Sequence, residues 1–369
     1  MRRTSPDLLL TLVVAGRAAD RFGRKPVLIP GLLVALTACV LFMSASSVVV
    51  LVIARFLTGV AVGVVVSAGM AAVVDLGGPD RRRQASLAAS VAMVLGAGLG
   101  PLLAGLIAQE TAEPVVPIFA VELVLLLGAL VIAYRLPIPR PSPRQPSTRQ
   151  VTGSGLHLPS VPRPNQNQVA LGIAAFAPGI TATSFVLSLG PSLLSTLLGV
   201  SSPLIAGGTA CVMFVTATAV QLAVPRLPAR SILILSTGAT LASMIALVVA
   251  VNGSLAVPLV VAAVLAGAGQ GLGQLGGLSL IGTHVPSNRR AEANSVLNIG
   301  GYVPAGVLAV LIGYLIDAVG LARGATLFAA ILALAAIAGG ALISTSPEVA
   351  AEADTHPGLM SRARGRTVK

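Results

Sequence analysis

Residues 16–43 read G-R-A-A-D-R-F-G-R-K-P-V-L-I-P-G-L-L-V-A-L-T-A-C-V-L-F-M. The first ten residues hold Arg17, Arg21, Arg24 and Lys25 around a lone Asp20, with Gly16 and Gly23 supplying flexible joints. From Pro26 onward the charge stops, and residues 26–45 contain no ionisable side chain except the thiol of Cys39. A helix that crosses a bilayer needs roughly 20 predominantly apolar residues. The stretch therefore reads as a basic, water-facing loop that passes directly into lipid.

Working outward, the same alternation recurs along the chain. Apolar runs long enough to cross fall at residues 26–45, 48–74, 85–108, 115–136, 168–189, 203–224, 230–251, 255–282, 292–316 and 324–344. An eleventh run, from Pro6 to Gly16, is too short. Composition agrees: 55% of the 369 residues are apolar and 10% charged, where a soluble domain carries about 25% charged residues. Mean hydropathy is +0.93. These values exclude a water-soluble globular enzyme. The net charge of +12 would suggest nucleic acid in a soluble chain, but its distribution gives a different answer. If the loop at 16–25 is placed inside and the spans alternate, the inside segments collect 20 of the 24 basic residues. These are the four named above, Arg81–Arg83, Arg135, Arg140, Arg144, Arg149, Arg163, Arg226, Arg230, Arg289, Arg290, Arg362, Arg364, Arg366 and Lys369. This is the positive-inside bias of a multi-pass membrane protein. It predicts a cell-membrane protein, in a plasma or bacterial inner membrane, with a cytoplasmic C-terminus and no nucleic-acid partner. The Arg pair near Met1 opens no secretory signal, because its apolar stretch lacks a small-residue cleavage site. Cys39 and Cys211 lie in apolar runs and read as packing residues, not as a disulfide framework.

Residues 135–167 interrupt the pattern with Pro, Ser, Arg and Gln, including P-I-P-R-P-S-P-R-Q-P-S-T-R-Q from Pro137. Such a composition cannot bury enough apolar surface to order itself and predicts a cytoplasmic linker. The expected organisation is an N-terminal bundle over 1–134, the linker, a six-helix bundle over 168–344 and a tail over 345–369. The two halves repeat each other. L-V-I-A-R-F-L-T-G-V-A-V-G from Leu51 matches L-V-V-A-A-V-L-A-G-A-G-Q-G from Leu259, so that Gly59 and Gly63 fall opposite Gly267 and Gly271. A similar offset sets A-D-R-F-G-R-K-P-V-L against V-P-R-L-P-A-R-S-I-L. Parallel repeats of this kind mark secondary transporters, with the substrate site between the halves. By symmetry, the first half is expected to lack one and a half helices at its N-terminus.

Three motifs carry a family resemblance. The order G-x-x-x-D-R-x-G-R-K, formed by Gly16, Asp20, Arg21, Gly23, Arg24 and Lys25, resembles the signature loop between the second and third helices of the major facilitator superfamily. Arg55-Phe-Leu-Thr-Gly59-Val-Ala-Val-Gly63 is similar to the pattern on that family's fourth helix. Gly96-Ala-Gly-Leu-Gly100-Pro101-Leu-Leu-Ala104-Gly105 resembles the antiporter motif of its fifth helix, with Ala104 in place of one glycine. The resemblance covers residues 6–344. It implies an all-α polytopic protein of two pseudo-symmetric bundles rocking about a central cavity, with about ten full helices here plus a partial second one. It also implies proton-coupled export of small lipophilic compounds or drugs by alternating access. The partners would then be the lipid bilayer, a small-molecule substrate and protons, with no cofactor and a monomeric chain. The resemblance assigns gating to the 16–25 loop, assistance to proton transfer to Arg55, and a seal against proton leak to Gly96, Gly100, Pro101 and Gly105.

Ionisable groups in hydrocarbon are costly and mark function by default. Glu122 is the one carboxylate inside the core of a complete span. It can act as a proton carrier or sit as an interfacial residue near the outer face. Arg55 either assists a proton acceptor or packs with its charge drawn out to the interface. Gly96, Gly100 and, less closely, Gly105 are expected near one helix face, where small residues let backbones approach. Gln221, Gln270, Gln274 and Asn298 either line a cavity or join helices, and the second reading is slightly favoured. An intramembrane enzyme is the main rival class. His157, His284 and His356 all fall in loops or the tail, and neither H-E-x-x-H nor G-x-x-x-x-G-K-[ST] occurs. A sugar or metabolite transporter of the same superfamily, or an inactive truncated fragment, completes the alternatives.

Overall fold

Each of the ten apolar runs becomes a helix, because only a helix or a closed barrel satisfies every backbone group in lipid. The computed structural model describes residues 24–136, 161, 163–196, 199, 201–224, 227–286 and 289–346. Among them there is no strand. The helices are α1 (Arg24–Met43), α2 (Val48–Leu76), α3 (Gly78–Glu110), α4 (Val115–Arg135), α5 (Gln166–Thr196), α6 (Pro203–Ala223), α7 (Ala229–Gly253), α8 (Ala256–His284), α9 (Arg290–Val319) and α10 (Leu321–Thr345). All ten contain a stretch long and apolar enough to cross a membrane. The short run at 6–16, most of the 16–25 loop, most of the linker and the tail lie outside the described residues.

Helix ends depart from the apolar boundaries. Arg81–Arg83, expected in a loop, lie in the first turns of α3, which opens one residue before Pro79. Arg, Gln and Ala are good helix formers, and Pro is preorganised for a first turn, so the helix continues past the point where hydropathy stops. α5 starts at Gln166 and runs to Thr196, beyond the expected 168–189, with Pro178 and Pro191 inside it. His284, expected in a loop, is the last residue of α8.

The chain divides into two compact units, Met1–Leu156 and His157–Lys369. In the first, α1 packs against both α2 and α4, while α3 touches chiefly α2. Leu28 and Leu32 of α1 meet Ala68 of α2 and Ala133 of α4, with Val65, Leu126, Ala129 and Leu130 around them. Phe42 and Phe119 stack with centroids 4.9 Å apart. Gly31 permits the close approach of α1 and α2, since a Cβ there would lie 2.7 Å from Val64 Cγ1.

In the second unit α8 is the axis, packed against α5, α6 and α7. It is buried without interruption from Ala266 to Gly273, and its glycines are the reason. A Cβ on Gly267 would overlap Met213 O, one on Gly271 would overlap Ala217 O, and one on Gly273 would lie 2.8 Å from Phe176 Cα. The outer core joins Phe185 and Phe328, stacked at 4.5 Å, with Met213, Met244, Leu247 and Leu259.

Candidate functional site

The signature loop enters the described residues at Arg24 and Lys25, the first two residues of α1. Gly16, Asp20, Arg21 and Gly23 lie outside them. Lys25 Nζ donates to Tyr134 O and, at 3.3 Å, to Leu136 O, and it sits 5.4 Å from the centre of the Tyr134 ring. The last carbonyls of a helix lack intrahelical donors and carry partial negative charge. Lys25 therefore caps the end of α4 from the start of α1. The second unit repeats the device. Arg230, at the start of α7, donates from Nη2 to Ser344 O at 2.7 Å. Tyr134 and Ser344 are the penultimate residues of α4 and α10. The sequence repeat sets Lys25 opposite Arg230, so this pairing was signalled, but its partner carbonyls were not.

Arg55 stands in the second turn of α2, exposed, with no hydrogen bond or ion pair among the described residues. Glu122 stands in the second turn of α4 and is also exposed. It lies one turn beyond Phe119, whose carbonyl accepts from Cys39 Sγ at 3.1 Å, so it borders the seam between α1 and α4. Along α4, Ala133 is the one residue that is buried, and Glu122 is exposed among the described residues. Nothing among the described residues brings Arg55 and Glu122 into contact.

The glycines of α3 behave differently from the expectation of one shared face. Gly96 and Gly100 are exposed, and a Cβ on either would meet nothing within 4 Å. Gly105 is buried, because five residues beyond Gly100 rotate it well away from that side. Pro101 lies inside the helix and is half-buried.

Polar side chains of the second unit divide sharply. Ser236 Oγ donates to Gly269 O at 2.7 Å and Ser243 Oγ to Ala262 O at 2.7 Å, both across the α7–α8 contact. Thr181, Thr183, Thr237 and Thr240 each donate to a carbonyl of their own helix. Gln221, Gln270, Gln274 and Asn298 make no hydrogen bond among the described residues, so the favoured reading that they join helices is not what the structure shows. Small hydroxyls carry out the joining instead. Among the described residues, no cluster of three His, Cys, Asp or Glu side chains is placed to hold a metal.

The sequence profile described as "Major Facilitator Superfamily" matches residues 8–257. Solved structures similar in fold include two of a POT family transporter, one in complex with a thioalcohol-conjugated peptide and one with 5-aminolevulinic acid. Each is 12% identical, with a TM-score of 0.70, covering 93% of this chain and 85% of the other. The human organic anion transporter MFSD10 (TETRAN) is 19% identical, with a TM-score of 0.59, over 91% of this chain and 80% of its own. Among curated proteins no relative matches the chain.

Proposed function

The chain belongs to the major facilitator superfamily, a family of multi-pass membrane transporters of small molecules, and on that premise we propose that it exports small lipophilic compounds in exchange for protons. The observation that carries the export reading is the spacing Gly96, Gly100, Pro101 and Gly105 on one continuous membrane-crossing stretch, Val91–Glu110. It is supported by a scarcity of charge: within the described crossing stretches, Arg55 and Glu122 are the Asp, Glu, Lys or Arg residues away from the helix ends. Nothing else there would compensate a highly charged solute.

In this reading Glu122 carries the proton. Its exposed position on α4 leaves it open to a proton donor or to substrate, and Arg55 tunes a nearby acid by its charge. The 16–25 loop gates, with Asp20 favouring a helix N-terminus in one state, and Gly96 and Gly100 of α3 provide a face that closes in each cycle. The linker over 135–167 joins the two bundles on the cytoplasmic side of the cell membrane, and one chain is the working unit.

A second reading, transport of a polar metabolite, is favoured by the solutes named with the structural neighbours, a peptide conjugate and 5-aminolevulinic acid. One assay separates the two. Inside-out vesicles with an acidified lumen are given rhodamine 123, a fluorescent monocation. An exporter accumulates the dye in the lumen, against the positive potential there, and an uncoupler releases it. Uptake of labelled 5-aminolevulinic acid with no gradient-dependent uptake of the dye would reverse the choice.

A further inference from the structure

Gln270 lies at the midpoint of α8, between Gly269 and Gly271, in the most continuously buried stretch of the second unit. Its relative exposure is 9%. The buried hydroxyl side chains around it each donate to a carbonyl, as described above. Gln270 makes no hydrogen bond among the described residues, and its Oε1 is buried without a donor. An orphaned buried acceptor costs about 1–3 kcal/mol, more than a typical hydrogen bond contributes. The same unit also leaves Asn294 Oδ1 and Arg230 Nε buried without a partner, so what sets Gln270 apart is its place at mid-helix, beside the satisfied hydroxyls of Ser236 and Thr240. The surroundings make the exception sharper. A Cβ on Gly179 of α5 would lie 2.8 Å from Gln270 N, so the bare faces of Gly179, Gly269 and Gly271 bring three neighbouring backbones close around this position. Gln274, one turn further along the same face, is half-buried and also makes no hydrogen bond among the described residues.

We propose that Gln270 is a specificity-determining residue whose amide oxygen accepts a hydrogen bond from an N–H or O–H donor on the transported molecule. The inference rests on the transporter reading and adds a requirement to it: the cargo carries a donor on an otherwise apolar body. Rotation about the last torsion brings the amide oxygen to the part of the side chain that stays exposed, where such a donor reaches it. A carboxylate, which offers acceptors alone, would leave Oε1 as it is.

Two dyes test the requirement, because they share one xanthene core and one positive charge. Rhodamine 123 carries N–H donors, whereas tetramethylrhodamine methyl ester has all four replaced by methyl groups. Equilibrium binding of each to the full chain in nanodiscs is read by fluorescence anisotropy, with no proton gradient present. The wild type should favour rhodamine 123 by about three- to tenfold, the value of one hydrogen bond. Gln270→Met, which keeps length and removes both polar ends, should lower rhodamine 123 affinity until the ratio falls to about one. If that variant elutes as aggregate on size exclusion, Gln270→Leu is read in the same way, and the wild-type ratio stands without any variant. Equal wild-type affinities, binding of neither dye, or a preference that survives loss of the amide would each overturn the proposal. Discrimination in binding without gradient-driven uptake would instead overturn the export reading and leave this one standing.

Discussion

Two glycine-rich helices of this protein, α3 and α8, carry similar spacings in sequence and meet opposite surroundings in structure. On α8, Gly267 and Gly271 are pressed onto the backbone carbonyls of Met213 and Ala217 in α6, and Gly276 faces Leu233 of α7, whose Cδ2 would lie 2.6 Å from an added Cβ. On α3, Gly96 and Gly100 face open space among the described residues. Small residues four apart make a helix able to pack closely, and the neighbouring helix decides whether it does. In α8 the capacity is used up in holding the unit together. In α3 it remains available, which suits a surface that closes and opens during a transport cycle.

The largest expected effect lies on α8. Gly271→Leu forces a side chain into the Ala217 backbone, which cannot move aside as a flexible side chain can. Overpacking typically costs about 1–3 kcal/mol, and contact with a rigid backbone places this variant at the upper end or beyond. Membrane abundance should fall steeply, measured by quantitative blot against wild type. Gly100→Leu sharpens the comparison from the other side. It should reach normal abundance, lose export and dissipate a preset pH gradient in vesicles. Disappearance of that protein from the membrane would equate the two helices and remove the best support for the antiporter reading.

Next in size is Glu122→Gln, which keeps shape and hydrogen bonding without ionising. Gradient-driven accumulation of rhodamine 123 should drop to the uncoupled level while equilibrium binding persists. A variant that still concentrates the dye would make Glu122 an interfacial residue. Asp20→Asn should insert normally and transport more slowly, by the factor of about two to five that corresponds to a charge–dipole contribution of about 0.3–1 kcal/mol. Wild-type rates in a well-inserted protein would defeat its switching role. An effect of similar size concerns what the two units share. Lys25→Met and Arg230→Met each remove a donor from a helix end and should lower stability by about 1 kcal/mol, read as a reduced unfolding temperature. Lys25→Arg should restore most of the loss. A large loss at one position alone would break the equivalence of the two caps.

The spans could be read in the sequence because lipid imposes the requirement locally: twenty apolar residues must be contiguous to cross. The helix ends could not, since Arg81–Arg83 satisfy the positive-inside rule equally well in a loop or in the first turns of α3. The repeat pairing Lys25 with Arg230 was visible, but the carbonyls they cap lie about 110 residues further along the chain, a separation that no local pattern reports. Glutamines in a span pose the same difficulty. Gln270 and Gln274 look alike in sequence, and either could have joined two helices. Ser236 and Ser243 took that role because short hydroxyls fit the narrow α7–α8 contact that the glycines of α8 create. Placement of the three α3 glycines was also only partly legible: Gly96 and Gly100 share a side, and Gly105 turns inward.

Proton exchange is the central claim, and lumenal pH reports it most directly. Inside-out vesicles containing the full chain are given an acidic lumen and an entrapped pH indicator, and rhodamine 123 is then added outside. Exchange predicts that dye entry raises lumenal pH in the wild type and leaves it unchanged in Glu122→Gln. Dye entry with no change of lumenal pH in the wild type, or the same rise in both proteins, would contradict the account.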